Sequence, residues 1–331
     1  MYYNNMDNQS IITSEHSNIK GLPNFQTSLS NSINNEQKYS LRKAVFENTV
    51  EIVCNGKYIT PSGRTINIPN IDIMCSGSTM YDRELSVVKN PDLCTPVQIK
   101  VVKTDCLDEA VKLRKLGLNP AVLNMANRKI PCAGIVQGRT QEDDLFRRTT
   151  LFHSLYQFYK NYKDLSPFLS TVDYAIEIRK EQYPMDVIHG GIYTPYATLF
   201  RKNEVCGYEL MEEPVSISFI SVAGIYKPET IPENSQVLAK EMVSITKEKI
   251  KIILRIGLIN GHDSLVLGAL GCGAFCNPPA HVAKLFNEII HETEFLYGYK
   301  NISFAIIDDN NAYKAHNPEG NYIPFAREFL I

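Results

Sequence analysis

Net charge of one sign is what this chain has least of. Lys and Arg number 34 against 36 Asp and Glu, a formal net charge of −2, so electrostatics give no case for a nucleic-acid partner. An apolar run of about eighteen residues is missing, and the N-terminus has no apolar signal core, which points away from a membrane span or a secreted protein. Eight Cys occur, without CxxC pairs or the Cys/His spacing of a zinc site. Most sit in or beside apolar runs such as EIVCNG and IDIMCSG, the pattern of reduced, half-buried thiols inside a cell. No Gly-Lys-Ser/Thr phosphate loop, no Rossmann glycine spacing and no internal repeat is present. What is left, at 331 residues with 44% hydrophobic and 21% charged, is a globular, intracellular chain long enough to bury a sizeable core.

The chain divides by composition. Residues 1–40 are rich in Asn, Ser and Gln and poor in large apolar residues, which predicts a disordered polar tail. Residues 41–95 form an N-terminal extension: a helix with Leu41, Val45 and Ile52 on one face, then a hairpin in YITPSGRTINI turning at Pro61-Ser62-Gly63. From 96 to 331 strand and helix patterns alternate. VQIKVVKT reads as a strand, CLDEAVKLRKLG as a helix stopped by Gly117, and PAVLNMA as a strand. A helix follows near Asp144, then strands in YATLFRK and PVSISFISVAG, and a helix from Asn234 to about residue 261. SLVLGALGCGAF is a strand running into glycines, and the next helix takes Asn277 as N-cap with Pro278 at its first position. ISFAIID is a last strand and NYIPFAREFL a closing helix. Such alternation predicts a layered α/β domain around a mostly parallel sheet.

Two stretches are candidates for chemistry. In PCAGIVQGRTQEDDLF the small residues Cys132, Ala133 and Gly134 precede the acids Glu142, Asp143 and Asp144. The stretch reads either as a capped helix after a turn, or as a loop that lets backbone approach a ligand beside carboxylates. In VLGALGCGAFCNPP, Gly268, Gly271 and Gly273 follow a strand and precede a helix. That is either a tight packed turn or a phosphate cradle of backbone N–H groups. Both stretches sit at carboxyl ends of apolar strands, where open α/β sheets place ligands. An uncharged pyrophosphate holder beside a carboxylate pair suits chemistry at a sugar attached to a diphosphate.

The segments VLNMANRKIPCAGIVQGRTQEDDLFRRTTLFHSL, YTPYATLFRK, SISFISVAG and LVLGALGCGAFCNPPAHVAKLF together resemble the microbial-type poly(ADP-ribose) glycohydrolases, a branch of the macrodomain fold. RKAVFENTVEIVCNGKYI and FAIIDDNNAYKAHNPEGNYIPF resemble the family's first helix and closing segment. The resemblance implies a macrodomain-like α/β/α layering with a mostly parallel central mixed sheet. The family signature is three glycines, six to eight residues, then Gln-Glu-Glu. Here the glycines correspond to Cys132, Ala133 and Gly134, the spacer to Ile135–Thr140, and the acids to Gln141, Glu142 and Asp143, in a register anchored by Arg147-Arg148.

Carried across, the resemblance makes Glu142 the holder of the distal ribose hydroxyls and Asp143 the general acid, with Gly134 and Gln141 beside them. Gly271, Cys272, Gly273 and Ala274 would cradle the diphosphate, Phe275 would pack on the ribose, and Asn127 would bind it. The implied partners are ADP-ribose or ADP-ribosylated macromolecules, with no cofactor and no metal. The implied activity is hydrolysis of ribosyl glycosidic bonds by carboxylate acid/base catalysis. The alternative is an ADP-ribose reader, because the family's acid Glu is an Asp here. An acid at a helix start has its pKa lowered by the dipole, whereas a bound diphosphate raises it. Arg147, Arg148, His281, His291 and the pair Cys272/Cys276 read as packing or surface residues.

Overall fold

The computed structural model describes residues 34–69, 71–86, 95–134, 138–177, 179–308 and 312–330. The expected polar tail lies outside these up to residue 33. Its last part is corrected: helix α1 spans Asn35–Asn55, so residues 35–40 are helical. The reason is local, a capping box in which Asn34 Oδ1 accepts from the Gln37 N–H while Gln37 Oε1 accepts from the Asn34 N–H. Gly56 ends the helix at φ 64°, its N–H returning to the Val53 carbonyl.

The expected hairpin follows as β1 (Lys57–Ile59) and β2 (Thr65–Asn67), antiparallel. Next come α2 (Ile71–Gly77), β3 (Thr79–Tyr81), β4 (Gln98–Val102), α3 (Cys106–Lys115) and β5 (Pro120–Met125). A short 3-10 turn over Pro131–Gly134 leads to α4 (Gln141–Arg148), α5 (Leu151–Tyr156) and α6 (Pro167–Thr171). Two long strands, β6 (Gly191–Arg201) and β7 (Leu210–Val222), precede a small hairpin of β8 (Thr230–Ile231) and β9 (Asn234–Leu238). The chain finishes with α7 (Lys240–Ile259), β10 (Ser264–Leu267), α8 (Pro279–Ile290), α9 (Thr293–Leu296), β11 (Asn301–Ala305) and α10 (Tyr322–Phe329).

The helix expected from Asn234 therefore starts later, at Lys240. Residues 234–238 pair with β8, and the Leu238 N–H donates to His281 Nδ1 on α8 at 2.9 Å. Tertiary pairing outweighs local helix preference there.

Seven strands form one sheet in the order β3-β6-β7-β5-β10-β11-β4. β7, β5, β10, β11 and β4 run parallel, while β6 and β3 add an antiparallel edge. β3 belongs to this sheet, so the N-terminal segment is built into the domain. Alternation along the buried strands separates two cores. Val122 and Val266 point to one side, with Phe46, Leu107, Phe146 and Phe152. Leu123, Leu265 and Leu267 point to the other, with Ile253, Leu285 and Phe286. The result is the three-layer α/β/α arrangement that the sequence predicts.

Behind α4, charge is buried with its partners. Arg148, 1% exposed, donates from Nη1 to both oxygens of Asp105 at 3.0 Å and to Asp144 Oδ2 at 2.8 Å. Arg147 donates to the Tyr208 hydroxyl and to the Gly138 carbonyl, each at 3.0 Å. Tyr208 in turn donates to Asp144 Oδ1 at 2.9 Å. Both arginines are thus structural, as the sequence reading has it. Asp105 caps α3, accepting from the Leu107 and Asp108 N–H groups. Arg148→Met would remove the buried partner of the half-buried Asp105 and Asp144, and a loss of about 3 kcal/mol in urea unfolding is expected. A loss under about 1 kcal/mol would show that water already solvates these acids.

Candidate active site

The carboxyl ends of β7, β5 and β10 are neighbours in the sheet, and the loops leaving them build the site. Gly268, just past β10, packs on Met125 at the end of β5: a Cβ there would stand 3.3 Å from Met125 Cε. The loops after β7 and β10 touch through glycines, since a Cβ on Gly224 would fall 2.8 Å from Gly271 Cα.

The acidic half is organised by α4. Thr140 caps it: its Oγ1 accepts from the Asp143 N–H, and Asp143 Oδ2 accepts from the Thr140 N–H at 2.9 Å and its hydroxyl at 2.6 Å. Gln141 spends its amide on β5, taking the Met125 N–H and giving to the Leu123 carbonyl, both at 2.8 Å. In this structure Gln141 fixes the helix to the sheet. Glu142, 3% exposed, accepts at Oε1 from Asn124 Nδ2 (3.1 Å). Its Oε2 accepts from the N–H groups of Asn127 (3.1 Å) and Cys132 (2.9 Å). Asn124 also donates to Ser221 Oγ on β7 at 3.0 Å. Asn127 Oδ1 accepts from the Lys129 and Ile130 N–H groups, shaping the turn after β5. Cys132 places its thiol 2.8 Å from Asp143 Oδ1. Asp144 points away, into the Arg148 and Tyr208 network.

Burial sets the electrostatics. It pushes the Glu142 carboxyl up to about 8, against the Asn124, Asn127 and Cys132 donors that pull it down. It raises Asp143 as well, opposed by the Cys132 thiol, Thr140 and the Arg147 charge. Glu142, held near 8, keeps its proton at neutral pH, and Asp143 beside it is held above its ordinary range.

The glycine half is clamped by Asn277, which sequence reading assigns as the cap of the following helix. That assignment is corrected: α8 begins at Pro279 with Pro278 in the cap position. The Asn277 amide instead donates to the Ile225 carbonyl at 2.7 Å and the Gly271 carbonyl at 3.0 Å. The prolines supply the helix start, which frees the amide to tie two loops together. Gly271 adopts φ 73°, and a Cβ on it would meet Asn277 Nδ2 at 2.5 Å, so glycine is required. Cys272 is buried, Gly273 accepts from the Cys276 N–H, and Ala274 is exposed. The half-buried Phe275 ring lies edge-on to Tyr226, centroids 5.4 Å apart, and its carbonyl accepts from the Lys227 N–H. Tyr226, Gly224, Asn124, Thr140 and Ser221 escape sequence reading. Tyr226 lies outside the stretches that the sequence singles out, while the other four lie within them without a role of their own, and only packing assigns them a place here.

No group of three or more His, Cys, Asp or Glu that could hold a metal occurs among the described residues. None of the described helices is long and apolar enough to cross a membrane. Residues 46–202 match the family described as microbial-type PARG, catalytic domain, where PARG is poly(ADP-ribose) glycohydrolase. In sequence and in fold, the chain is similar to the microbial-type poly(ADP-ribose) glycohydrolases. The enzyme from Thermomonospora curvata superposes with a TM-score of 0.68 at 25% identity, covering 87% of this chain and 99% of that one. Its structure bound to the inhibitor ADP-HPD gives 0.65 at 25% identity, with the same coverage. A Deinococcus radiodurans glycohydrolase in complex with ADP-ribose shares the fold, at a TM-score of 0.58, 22% identity and coverage of 80% and 99%. No curated protein matches the chain in sequence.

The raised Glu142 has a measurable consequence. Between its ordinary 4.5 and about 8, the native state keeps a proton that the unfolded chain releases. The stability this group confers is therefore full below pH 4.5 and is lost as pH rises through 8. Glu142→Gln removes the titration, so its melting temperature should gain on wild type between pH 5 and pH 9. A constant gap across that range would mean that Glu142 ionises normally.

Proposed function

We propose that this chain binds ADP-ribose units and hydrolyses the glycosidic bond at their ribose, acting on poly(ADP-ribose) or on ADP-ribosylated macromolecules. The observation that carries this reading is the placement of Glu142 and Asp143, both buried and raised, at the start of α4 on the sheet edge that also bears the Asn277-clamped glycine loop.

The backbone of Gly271, Cys272, Gly273 and Ala274 would receive the diphosphate, and Phe275 with Tyr226 would wall the ribose side. Asn127, Gly134 and Glu142 would border the distal ribose, with Gln141 holding their helix in place. Protonated Asp143 would give its proton to the leaving oxygen as the bond to C1″ breaks and positive charge spreads over the ring oxygen. The resulting carboxylate would take a proton from the water that attacks C1″, restoring the acid. A diphosphate nearby favours the protonated form of both acids.

Asp143→Asn cannot donate that proton. ADP-ribose release from poly(ADP-ribose) and from mono-ADP-ribosylated protein should fall by about 10²–10⁴-fold, with ADP-ribose affinity by calorimetry retained. Release that survives the substitution would overturn the assignment of the acid. A wild type that binds without releasing would make the chain a reader.

The cradle is tested separately. Asn277→Ala releases the carbonyls of Gly271 and Ile225 and should weaken ADP-ribose binding about tenfold, equivalent to about 1.4 kcal/mol. Unchanged affinity would remove this loop from the site.

A further inference from the structure

Cys132 stands where the family resemblance places a glycine, and its backbone shows the mismatch. Its φ is 58°, in the left-handed region that a residue with a Cβ occupies only when its surroundings hold it there. Two contacts do so. The N–H donates to Glu142 Oε2 at 2.9 Å, and the thiol lies 2.8 Å from Asp143 Oδ1. The side chain is buried. Asp143 has its second oxygen fixed by the Thr140 N–H and hydroxyl. The terminal torsion of an aspartate is broad and sets its own plane poorly. With a donor on each oxygen, that plane is fixed.

We propose that Cys132 is a positioning residue for the acid, and that the cysteine in the loop and the aspartate in the helix work as a matched pair. Aspartate ends one carbon–carbon bond, roughly 1.5 Å, short of glutamate. A glycine opposite it would leave that space open and one carboxyl oxygen without a partner from this loop. The Cβ and Sγ of Cys132 fill the space and supply the donor. Burial, with Asp143 next, pushes the thiol well above its ordinary range, so it remains protonated and able to donate. Two other buried thiols behave differently. Cys106 accepts from Gln141, and Cys272 lies 3.6 Å from a backbone carbonyl. The titratable groups around the Cys132–Asp143 contact are Glu142, Arg147 and the Tyr156 and Tyr183 hydroxyls.

This inference rests on the glycohydrolase reading above, and the experiment separates the two. Cys132→Gly, Cys132→Ser, Asp143→Glu and the Cys132→Gly/Asp143→Glu pair are compared with wild type. The readouts are single-turnover ADP-ribose release against pH, calorimetric ADP-ribose affinity, and carbon-13 NMR titration of the Asp143 carboxyl. Cys132→Gly relieves the backbone, so it should fold. It should slow release at least tenfold with affinity unchanged, and raise the Asp143 pKa, because a donor to the charged form is lost. Cys132→Ser should recover most of the rate. Asp143→Glu alone should slow release, since its extra methylene meets the thiol, and the double variant should exceed both singles. Wild-type rate in Cys132→Gly, or independent effects in the double variant, would overturn the pairing. Should wild type release nothing, the glycohydrolase reading fails, and the titration alone decides the contact. An Asp143 carboxyl that titrates identically with and without the thiol overturns it.

Discussion

One carboxylate holds the acidic half of this protein together. Glu142 gathers the Asn124 amide from β5 and the N–H groups of Asn127 and Cys132 from the loop beyond it. Three donors satisfy the oxygens of a buried carboxyl group, which without them would be costly to bury. The same contacts bring the turn after β5, the short 3-10 segment and the first turn of α4 into register. Asp143 lies on that first turn, so its position follows from the Glu142 bonds.

The rest of α4 is secured from behind. Gln141 locks its start to the β5 backbone, and Arg147 and Arg148 bind its end to Tyr208, Asp105 and Asp144. An eight-residue helix has little stability of its own. Its fixed orientation comes from polar contacts at both ends and from Leu145 and Phe146 in the core. On the proposed function, rigid support of this kind is what the acid would need, because errors of about an ångström in its placement cost rate heavily.

The glycine half uses a different device. Gly224 and Gly271 let two loops approach at backbone distance, and one side-chain amide ties their carbonyls together. The loop is therefore held by hydrogen bonds from the chain's own groups and needs no charged side chain, and its Cys272 N–H is taken by the Ala269 carbonyl.

Much of this was legible from residue order alone. Alternating apolar strands and amphipathic helices specify the layered sheet, because periodicity records which face is buried. Glycine at the loop after β10 and the acids at the start of α4 mark the two halves of the candidate site, because those backbone and capping demands are local. What residue order left undecided depends on neighbours distant in sequence. Asn277 reads as a helix cap until the loop after β7 offers it a better acceptor. Gln141 shows its anchor only when β5 takes its amide. Cys132 reads as a small loop residue until α4 brings Asp143 against its thiol. A side chain's hydrogen-bonding partner is chosen by packing of separate segments, and only the tertiary structure decides that.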